Sequence, residues 1–89
     1  MTASYELVLT SGFDKDLRKI DRKLIPWMVR KILTLENDPR PAQSRKLKGA
    51  DDEYRLRVGD YRVFYTIDDK NRIVTIYHLA HRKEAYRQR

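Results

Sequence analysis

The chain has 89 residues, and its 20 lysines and arginines outnumber 13 aspartates and glutamates to give a net charge of +7. This length suits one domain, expected to span 1–89, and the lack of cysteine excludes disulfides, thiolate zinc sites and thiol nucleophiles. No apolar run approaches the roughly 20 residues of a membrane-spanning helix and no signal peptide is evident, so we expect a cytoplasmic protein without a membrane partner.

The first part of the sequence predicts a strand and a short amphipathic helix. Residues 4–10 predict a strand, because Tyr5, Leu7 and Leu9 recur with the period of two that places side chains on one face. Thr10 or Ser11 can then cap a helix by accepting a hydrogen bond from a backbone N–H of its first turn. Apolar side chains recur at helical spacing from Phe13 onward, so this helix is expected to reach about Arg22.

A second helix follows, and a proline marks where it begins. Pro26 would cost about 3 kcal/mol in a helix interior but is tolerated in a first turn, so we expect the helix to begin near Leu24 or Ile25. Its apolar stripe extends to Leu35, and residues 37–39 form a stop signal. The two helices therefore form an antiparallel hairpin with a short connection.

The second half of the sequence predicts a loop and three strands. Residues 39–53 contain two prolines and a glycine and are expected to form a loop. Residues 54–58 and 61–67 alternate on either side of a Gly-Asp turn, and residues 73–79 form a further strand. The expected order is β-α-α-β-β-β, an α+β fold in which the helical hairpin packs on a small antiparallel sheet, with a short basic tail or helix at 81–89.

The turn at 59–60 fixes the register of the strands that flank it, and the register fixes which side chains share a face. Reading away from the turn, the predicted pairs are Val58 with Tyr61, Arg57 with Arg62, Leu56 with Val63, Arg55 with Phe64 and Tyr54 with Tyr65. Arg55, Arg57 and Arg62 therefore share one face, although directly opposed like charges cost up to about 1 kcal/mol.

This face predicts an anion site, because guanidinium groups bind phosphate bidentately and stay charged. Phe64 beside the arginines offers a stacking surface for a base. The alternative is that the arginines extend into water or pair with the acidic run at 51–53. The charge distribution favours the site, because residues 1–44 hold eight basic and six acidic side chains whereas residues 45–89 hold twelve and seven.

The sequence of residues 54–65, YRLRVGDYRVFY, resembles the signature hairpin of the RelE/ParE superfamily of toxins from toxin–antitoxin pairs. The resemblance covers nearly the whole chain, including the helical hairpin, the Lys-Leu-Lys-Gly run at 46–49 and the segment at 81–86. Membership of the RelE branch implies a RelE-like microbial RNase fold. It also implies a ribosome-associated endoribonuclease (an mRNA interferase) that cuts messenger RNA in the ribosomal A site. The reaction that the resemblance implies is attack of the ribose 2′-hydroxyl on the adjacent phosphate, without a metal or another cofactor.

The resemblance also implies roles for four arginines. Arg62 matches the arginine of the family's Gly-x-Tyr-Arg element, and Arg82 matches the arginine after the last strand, so both are expected at the scissile phosphate. Arg55 and Arg57 occupy positions where relatives often carry lysine. Since arginine is a poor general base, these two are expected to stabilise transition-state charge and to hold flanking phosphates.

Two other side chains are then the candidates for proton transfer. His81 is a candidate acid or base, with a surface histidine as the alternative, and Tyr86 matches the family's C-terminal tyrosine and would donate a proton or stack on a base. The expected RNA contacts are Lys46, Lys48, Phe64 and Lys83. A solvated loop is the alternative for the two lysines at 46 and 48. His78 is expected to have a structural role, and Trp27 to pack against the sheet or a partner.

The resemblance implies an acidic, RelB-like antitoxin that covers the basic face or lies along the helices, and operator DNA as a target of the toxin–antitoxin complex. Two other functions remain open. One is a ParE-like toxin that poisons DNA gyrase without catalysis, and the other is a non-enzymatic RNA-binding module. The carboxylates at 51–53 and 68–69 are interpreted as solvated loop charge, and no metal site is expected.

Overall fold

Five strands form one sheet in the computed structural model, which describes residues 4–49 and 51–87, with backbone alone at 85–87. None of the helices in these ranges is long and apolar enough to cross a membrane. The elements in chain order are β1 (Glu6–Leu9), α1 (Ser11–Leu17), α2 (Ile25–Leu33), β2 (Ser44–Lys46), β3 (Glu53–Val58), β4 (Tyr61–Asp68), β5 (Ile73–His81) and α3 (Arg82–Arg87). One turn of 3-10 helix precedes α2 at Arg22–Leu24, and another follows it at Thr34–Glu36.

The sheet is mixed rather than antiparallel throughout, which corrects one expectation from the sequence. Its strand order is β1-β5-β4-β3-β2, and β1 runs parallel to β5 while the other neighbours are antiparallel. The first strand therefore pairs with the last one. Local patterns cannot reveal such a pairing, because parallel strands are joined only through a long crossover, here the helices and three strands between them. The α+β class and the helices against the sheet are confirmed.

The expected loop at 39–53 contains a fifth strand, β2. Its residues pair antiparallel with β3, with Ser44 opposite Leu56, Arg45 opposite Arg55 and Lys46 opposite Tyr54. Backbone bonds extend the pairing at both ends, from Arg57 N to Gln43 O (3.0 Å) and from Leu47 N to Glu53 O (2.8 Å). A strand of three residues is too short to show a period of two, which explains why the sequence did not reveal it.

The first helix is shorter than its apolar spacing suggests, because it ends at Leu17 and not near Arg22. Thr10 is the N-cap, and its Oγ1 accepts a hydrogen bond from Phe13 N at 3.1 Å. A second cap then intervenes, since Asp21 Oδ1 accepts from Lys23 N at 3.0 Å and begins the 3-10 turn that leads into α2. As expected, α2 begins at Ile25 with its proline in the first turn.

The core lies between the helices and the predicted inner face of the hairpin. Its buried side chains from α1, α2 and the turn after it are Phe13, Met28, Ile32 and Leu35, and those from the sheet include Leu56, Val58, Val63, Tyr65, Ile67, Val74, Ile76 and Leu79. Tyr65 is fully buried, and its hydroxyl donates to Pro39 O at 2.7 Å. Burial raises the pKa of this phenol to about 12, so it remains a neutral donor.

Candidate functional site

The β3–β4 hairpin has the register that its turn predicts. All five predicted pairs are present, so Arg57 lies opposite Arg62 and Arg55 lies opposite Phe64. Gly59, the first turn residue, has φ +59°, a conformation that side-chain-bearing residues rarely adopt. The hairpin therefore directs alternate side chains into the core and towards the opposite face of the sheet.

Four arginines line one cleft of about 260 Å³ on that opposite face. We call it the arginine cleft, and its residues are Ala42, Gln43, Arg45, Arg55, Arg57 and Arg62. Arg45 was not among the predicted site residues. It reaches the cleft because β2 places it directly opposite Arg55, and only recognition of that short strand could have signalled its role. Converging guanidinium groups form a strongly positive site that is suited to more than one phosphate.

Arg62 is the most constrained side chain of the arginine cleft. It is 8% exposed, and its Nη1 donates to Gly59 O at 3.3 Å and to Tyr61 O at 3.0 Å. These carbonyl groups belong to the hairpin turn and to the residue after it, so the turn itself orients the guanidinium. A buried cation held by dipoles attracts an anion more strongly than an exposed one, because less water screens the interaction.

Arg82 is tied to the same turn through its backbone. Its amide donates to Asp60 O at 2.7 Å, which brings the start of α3 beside the hairpin that holds Arg62. The side chains of Arg82 and Lys83 are exposed. The side chain of Tyr86, the expected C-terminal tyrosine, lies outside the described part of the chain.

His81 is not among the residues that line the arginine cleft. Its ring packs edge-on against Tyr61, with 5.4 Å between ring centroids, and it lines a different cleft together with His78 and Asp16. His81 Nδ1 accepts a hydrogen bond from Lys83 N at 3.3 Å. A neutral imidazole that accepts through Nδ1 carries its proton on Nε2, so in this arrangement the free ring nitrogen is a donor.

The remaining predicted RNA contacts differ in their accessibility. Lys46 and Lys48 are exposed on and beside β2, next to Arg45 of the arginine cleft. Phe64 is 8% exposed, and its ring packs near Tyr77 (6.4 Å) and His78 (5.2 Å between centroids). Phe64 therefore exposes little ring surface on which a base could stack, in contrast to the stacking role that the sequence suggested.

The other polar side chains near the sheet hold the fold together. His78 Nδ1 lies 2.8 Å from Asp16 Oδ2, which also accepts from the Leu79 amide at 3.1 Å, so this contact joins α1 to β5 as expected of a structural histidine. Tyr77 donates to Glu53 Oε1 at 2.9 Å. Within residues 4–49 and 51–87, no three histidine or acidic side chains converge as a metal ligand set would.

Comparison with known proteins identifies the family. The family model described as the ParE toxin of the type II toxin–antitoxin system parDE matches residues 7–86. The chain is 31% identical over 84 residues to the toxin RelE of Mycobacterium tuberculosis, covering 93% of this chain and 87% of the relative. It is also 33% identical over 76 residues to the protein named RelE1 of Methanocaldococcus jannaschii, covering 82% and 84% of the two chains.

Solved structures agree with these relatives. A chain of the RelBE2 toxin–antitoxin complex of M. tuberculosis superimposes with a TM-score of 0.78 at 26% identity, covering 89% of this chain and 99% of that chain. A chain of the archaeal RelE–RelB complex of Pyrococcus horikoshii gives 0.77 at 29% identity, covering 88% and 94%. This chain therefore belongs to the RelE/ParE superfamily and is a RelE-like toxin of a type II toxin–antitoxin pair.

Proposed function

We propose that this toxin is an endoribonuclease that cuts messenger RNA at the ribosome and is neutralised by a cognate antitoxin. The observation that carries the proposal is the convergence of four arginines on one cleft. Like charges repel, so a sequence selected for folding alone would tend not to place Arg57 opposite Arg62 or Arg45 opposite Arg55. A polyanionic substrate compensates that repulsion. Similarity to proteins named RelE supports RNA as the polyanion.

In the proposed reaction a ribose 2′-hydroxyl attacks the adjacent phosphorus. The O2′–P bond forms, the P–O5′ bond breaks, and the products carry a 2′,3′-cyclic phosphate and a 5′-hydroxyl. Negative charge accumulates on the phosphoryl oxygens as the fifth bond forms. Arg62 suits the stabilisation of that charge, because its guanidinium is already oriented and needs little reorganisation when the transition state develops. Arg82 would bind the same phosphate from the start of α3.

Arg55 and Arg57 would hold the scissile and flanking phosphates from β3, and Arg45 would do so from β2. The exposed Lys46, Lys48 and Lys83 extend this positive surface and would contact the RNA backbone. Such contacts fix the strand relative to Arg62. A well-positioned nucleophile and phosphate can supply several kcal/mol of the barrier reduction through orientation alone.

Proton transfer falls to Tyr86 and His81 in this proposal, because arginine keeps its proton at any relevant pH. The 2′-hydroxyl proton would pass to a water molecule, and the leaving 5′-oxygen would take a proton from the Nε2–H of His81, whose Nδ1 caps α3. His81 lines a separate cleft, so the RNA would have to extend to that cleft for His81 to donate. Tyr86 would serve as the alternative donor or stack on a base.

The antitoxin is the second part of the proposal. The matched structures include complexes of RelE with RelB, which supports a RelB-like partner for this chain. We expect the partner to be acidic where it covers the arginine cleft, since burying four guanidinium groups without counter-charges would be costly. By the same resemblance, the toxin–antitoxin complex is expected to bind its own operator DNA.

Messenger cleavage in a purified translation system tests the enzymatic proposal. The wild-type toxin should cut messenger at defined positions, and Arg62→Ala combined with Arg82→Ala should abolish those cuts. The matched control combines Arg22→Ala with Arg30→Ala, which removes the same charge from exposed helical positions and should leave cleavage intact. Intact messenger with the wild-type toxin, or equal loss of cleavage in both double variants, would refute the proposal.

A gyrase-inhibiting function is the second candidate, because the matching family model is described as a ParE toxin. The two functions separate after induction of the toxin in cells. A ribonuclease removes messenger rapidly while DNA stays intact, whereas a gyrase poison damages DNA before messenger declines. A non-enzymatic RNA-binding module would bind RNA in a salt-dependent way without producing a 2′,3′-cyclic phosphate.

A further inference from the structure

A second cleft, of about 570 Å³, adjoins the arginine cleft at the edge of the sheet. We call it the Trp27 cleft. Its lining includes Trp27 and Lys31 from α2, Gln43 from the segment before β2, and Arg57 and Gly59 from the hairpin. Gln43 and Arg57 line both clefts, so the two clefts are direct neighbours. A strand that crosses the arginine cleft can therefore continue into the Trp27 cleft.

The Trp27 cleft exists because β2 is short. β2 pairs with β3 only as far as Leu56, and the bond from Arg57 N to Gln43 O ends the pairing. The edge of β3 beyond that bond is not covered by β2. Trp27 and Lys31 are four residues apart on α2 and therefore project from the same side of the helix towards this edge.

Trp27 is held in place by the hairpin turn. A Cβ atom built on Gly59 would lie 2.6 Å from Cη2 of the indole, so the turn backbone and the ring are in close contact. Trp27 is packed against the core yet remains partly exposed. A large aromatic side chain with a fixed orientation loses little entropy when a flat ligand stacks on it.

The charges around Trp27 favour a nucleotide over an apolar ligand. Lys31 and Arg57 are the charged residues among those that line the Trp27 cleft, and both are cationic. Gln43 adds an amide that can donate to a base or a phosphate and accept from a base. An aromatic ring in a cationic groove is a combination that proteins use to hold single-stranded nucleic acid. Phe64, the aromatic that the sequence placed in this role, is buried instead.

We propose that the Trp27 cleft binds a nucleotide that flanks the scissile phosphate, with its base stacked on the indole and its phosphate held by Lys31 and Arg57. This proposal rests on the proposed RNA substrate and adds a base-binding subsite outside the arginine cleft. The alternative occupant is a segment of a protein partner, and titration with RNA and with an antitoxin peptide distinguishes the two.

The first experiment uses Trp27 as its own reporter, because it is the single tryptophan of the chain. The wild-type toxin is titrated at low salt with a 2′-O-methyl RNA octamer, which cannot be cut because its 2′-oxygens are blocked. Stacking should quench the tryptophan emission as the strand binds. A matched strand with abasic sugars should bind through its phosphates, detected by anisotropy of a label on the strand, without that quenching.

The second experiment compares Trp27→Leu with Trp27→Phe, after circular dichroism shows that both variants fold. Loss of a stacked base weakens binding by about 5- to 150-fold, from a stacking free energy of about 1–3 kcal/mol. Trp27→Leu should therefore lose affinity for the normal octamer by a factor in this range and Trp27→Phe by less. Both variants should bind the abasic strand as the wild type does.

The outcomes separate the subsite from the proposed function. Equal weakening of the normal and abasic strands by Trp27→Leu would mean that the indole only braces the turn that holds Arg62, and would overturn the subsite. Salt-dependent binding or messenger cleavage without quenching would overturn the subsite and leave the ribonuclease intact. Quenching by an acidic peptide from the antitoxin but not by RNA would assign the cleft to the protein partner. Failure of either strand to bind, together with intact messenger, would overturn both proposals.

Discussion

At the scale of single residues, Arg62 shows how the fold orients a cation on the sheet. Its guanidinium is buried against the sheet and is fixed by carbonyl groups of the hairpin turn region. Lysine could carry the same charge, but it cannot reproduce a planar fork that binds carbonyl and phosphate oxygens together. We therefore expect the geometry of this one side chain to matter more than its charge in the proposed reaction.

We predict that Arg62→Lys lowers messenger cleavage by roughly 100- to 1,000-fold, the loss typical when one donor to a developing negative charge is removed. Quantitative cleavage at a mapped site measures the effect. Binding of an uncleavable strand should fall far less, because the positive charge remains. Near-normal cleavage by Arg62→Lys would show that charge alone is sufficient and that the orientation of this guanidinium is unimportant.

Gly59 is constrained twice, by its backbone conformation and by the indole of Trp27. We predict that Gly59→Ala destabilises the fold by about 2–5 kcal/mol, the sum of a left-handed backbone penalty and a steric clash. Urea unfolding measures the loss. Gly49→Ala is the matched control, because Gly49 has φ +83° but open space where a Cβ would lie, so its loss should be about 1–2 kcal/mol. Equal losses would show that the Trp27 contact adds no constraint.

Asp69 gives the fold a specific dependence on pH. Its carboxylate accepts hydrogen bonds from Arg40 Nη2 (2.7 Å) and from the Tyr5 hydroxyl (2.6 Å), and the bond from Arg40 is the main reason that the pKa of Asp69 is lowered. A lowered pKa in the folded chain means that the stabilisation is complete above the pKa of the unfolded chain. It is lost as the pH falls through the lower, folded pKa.

We therefore predict that Asp69→Asn is less stable than the wild type at neutral pH and that the difference shrinks as the pH falls below about 4, the ordinary pKa of aspartate. Urea unfolding at neutral pH and in acid provides the comparison. A difference that persists unchanged in acid would mean that the carboxylate charge is not what stabilises this contact.

At the scale of secondary structure elements, exposed apolar side chains lie where β1 meets the helices. Leu9 is 56% exposed and Leu33 is 48% exposed, and they line an apolar groove of about 400 Å³ together with Leu7, Phe13, Leu17, Val29 and Ile32. The apolar stripe of α2 is thus only partly buried. In a member of a toxin–antitoxin family, this apolar groove is a suitable surface for the antitoxin.

We predict that Leu33→Asp weakens antitoxin binding at least 10-fold while leaving messenger cleavage by the free toxin unchanged, because a charge in the apolar groove must be desolvated when the partner binds. Titration of the toxin with its antitoxin measures the affinity. Lys23→Asp, at an exposed position of the turn before α2, is the control for an added negative charge. Unchanged affinity in Leu33→Asp would exclude the apolar groove from the interface.

The elements also show which parts of the structure the sequence could predict. The hairpin register was predictable because a two-residue turn leaves one pairing, and that pairing decides the face of every side chain. β2 was not predictable, because a strand of three residues is too short to show a period of two. Arg45, which β2 places in the arginine cleft, was therefore missed as well. The end of α1 was overestimated because Ile20 continues the apolar spacing after the helix has ended. Alternation gave the face of Phe64 correctly but could not show that Leu47 and Tyr77 would cover it.

At the scale of the whole molecule, the net charge of +7 is accompanied by a concentration of basic side chains at one site. Four arginines of the second half of the chain line the arginine cleft, and lysines extend it along β2 and towards α3. The charged side chains that line the apolar groove are instead Glu6 and Glu36. The two surfaces therefore differ in both charge and polarity, as expected if the arginine cleft holds the proposed RNA and the antitoxin contacts the apolar groove as well as the cleft.

In the proposed function, the arginine cleft promotes attack by a ribose 2′-hydroxyl of messenger RNA. The most direct test places a single 2′-deoxy nucleotide immediately 5′ of a mapped cleavage site and follows cleavage of that strand in a translation system. We expect cleavage to cease at that site alone, and the unmodified strand to yield a 2′,3′-cyclic phosphate. Continued cleavage of the 2′-deoxy strand at the same position, or a product without the cyclic phosphate, would contradict the account.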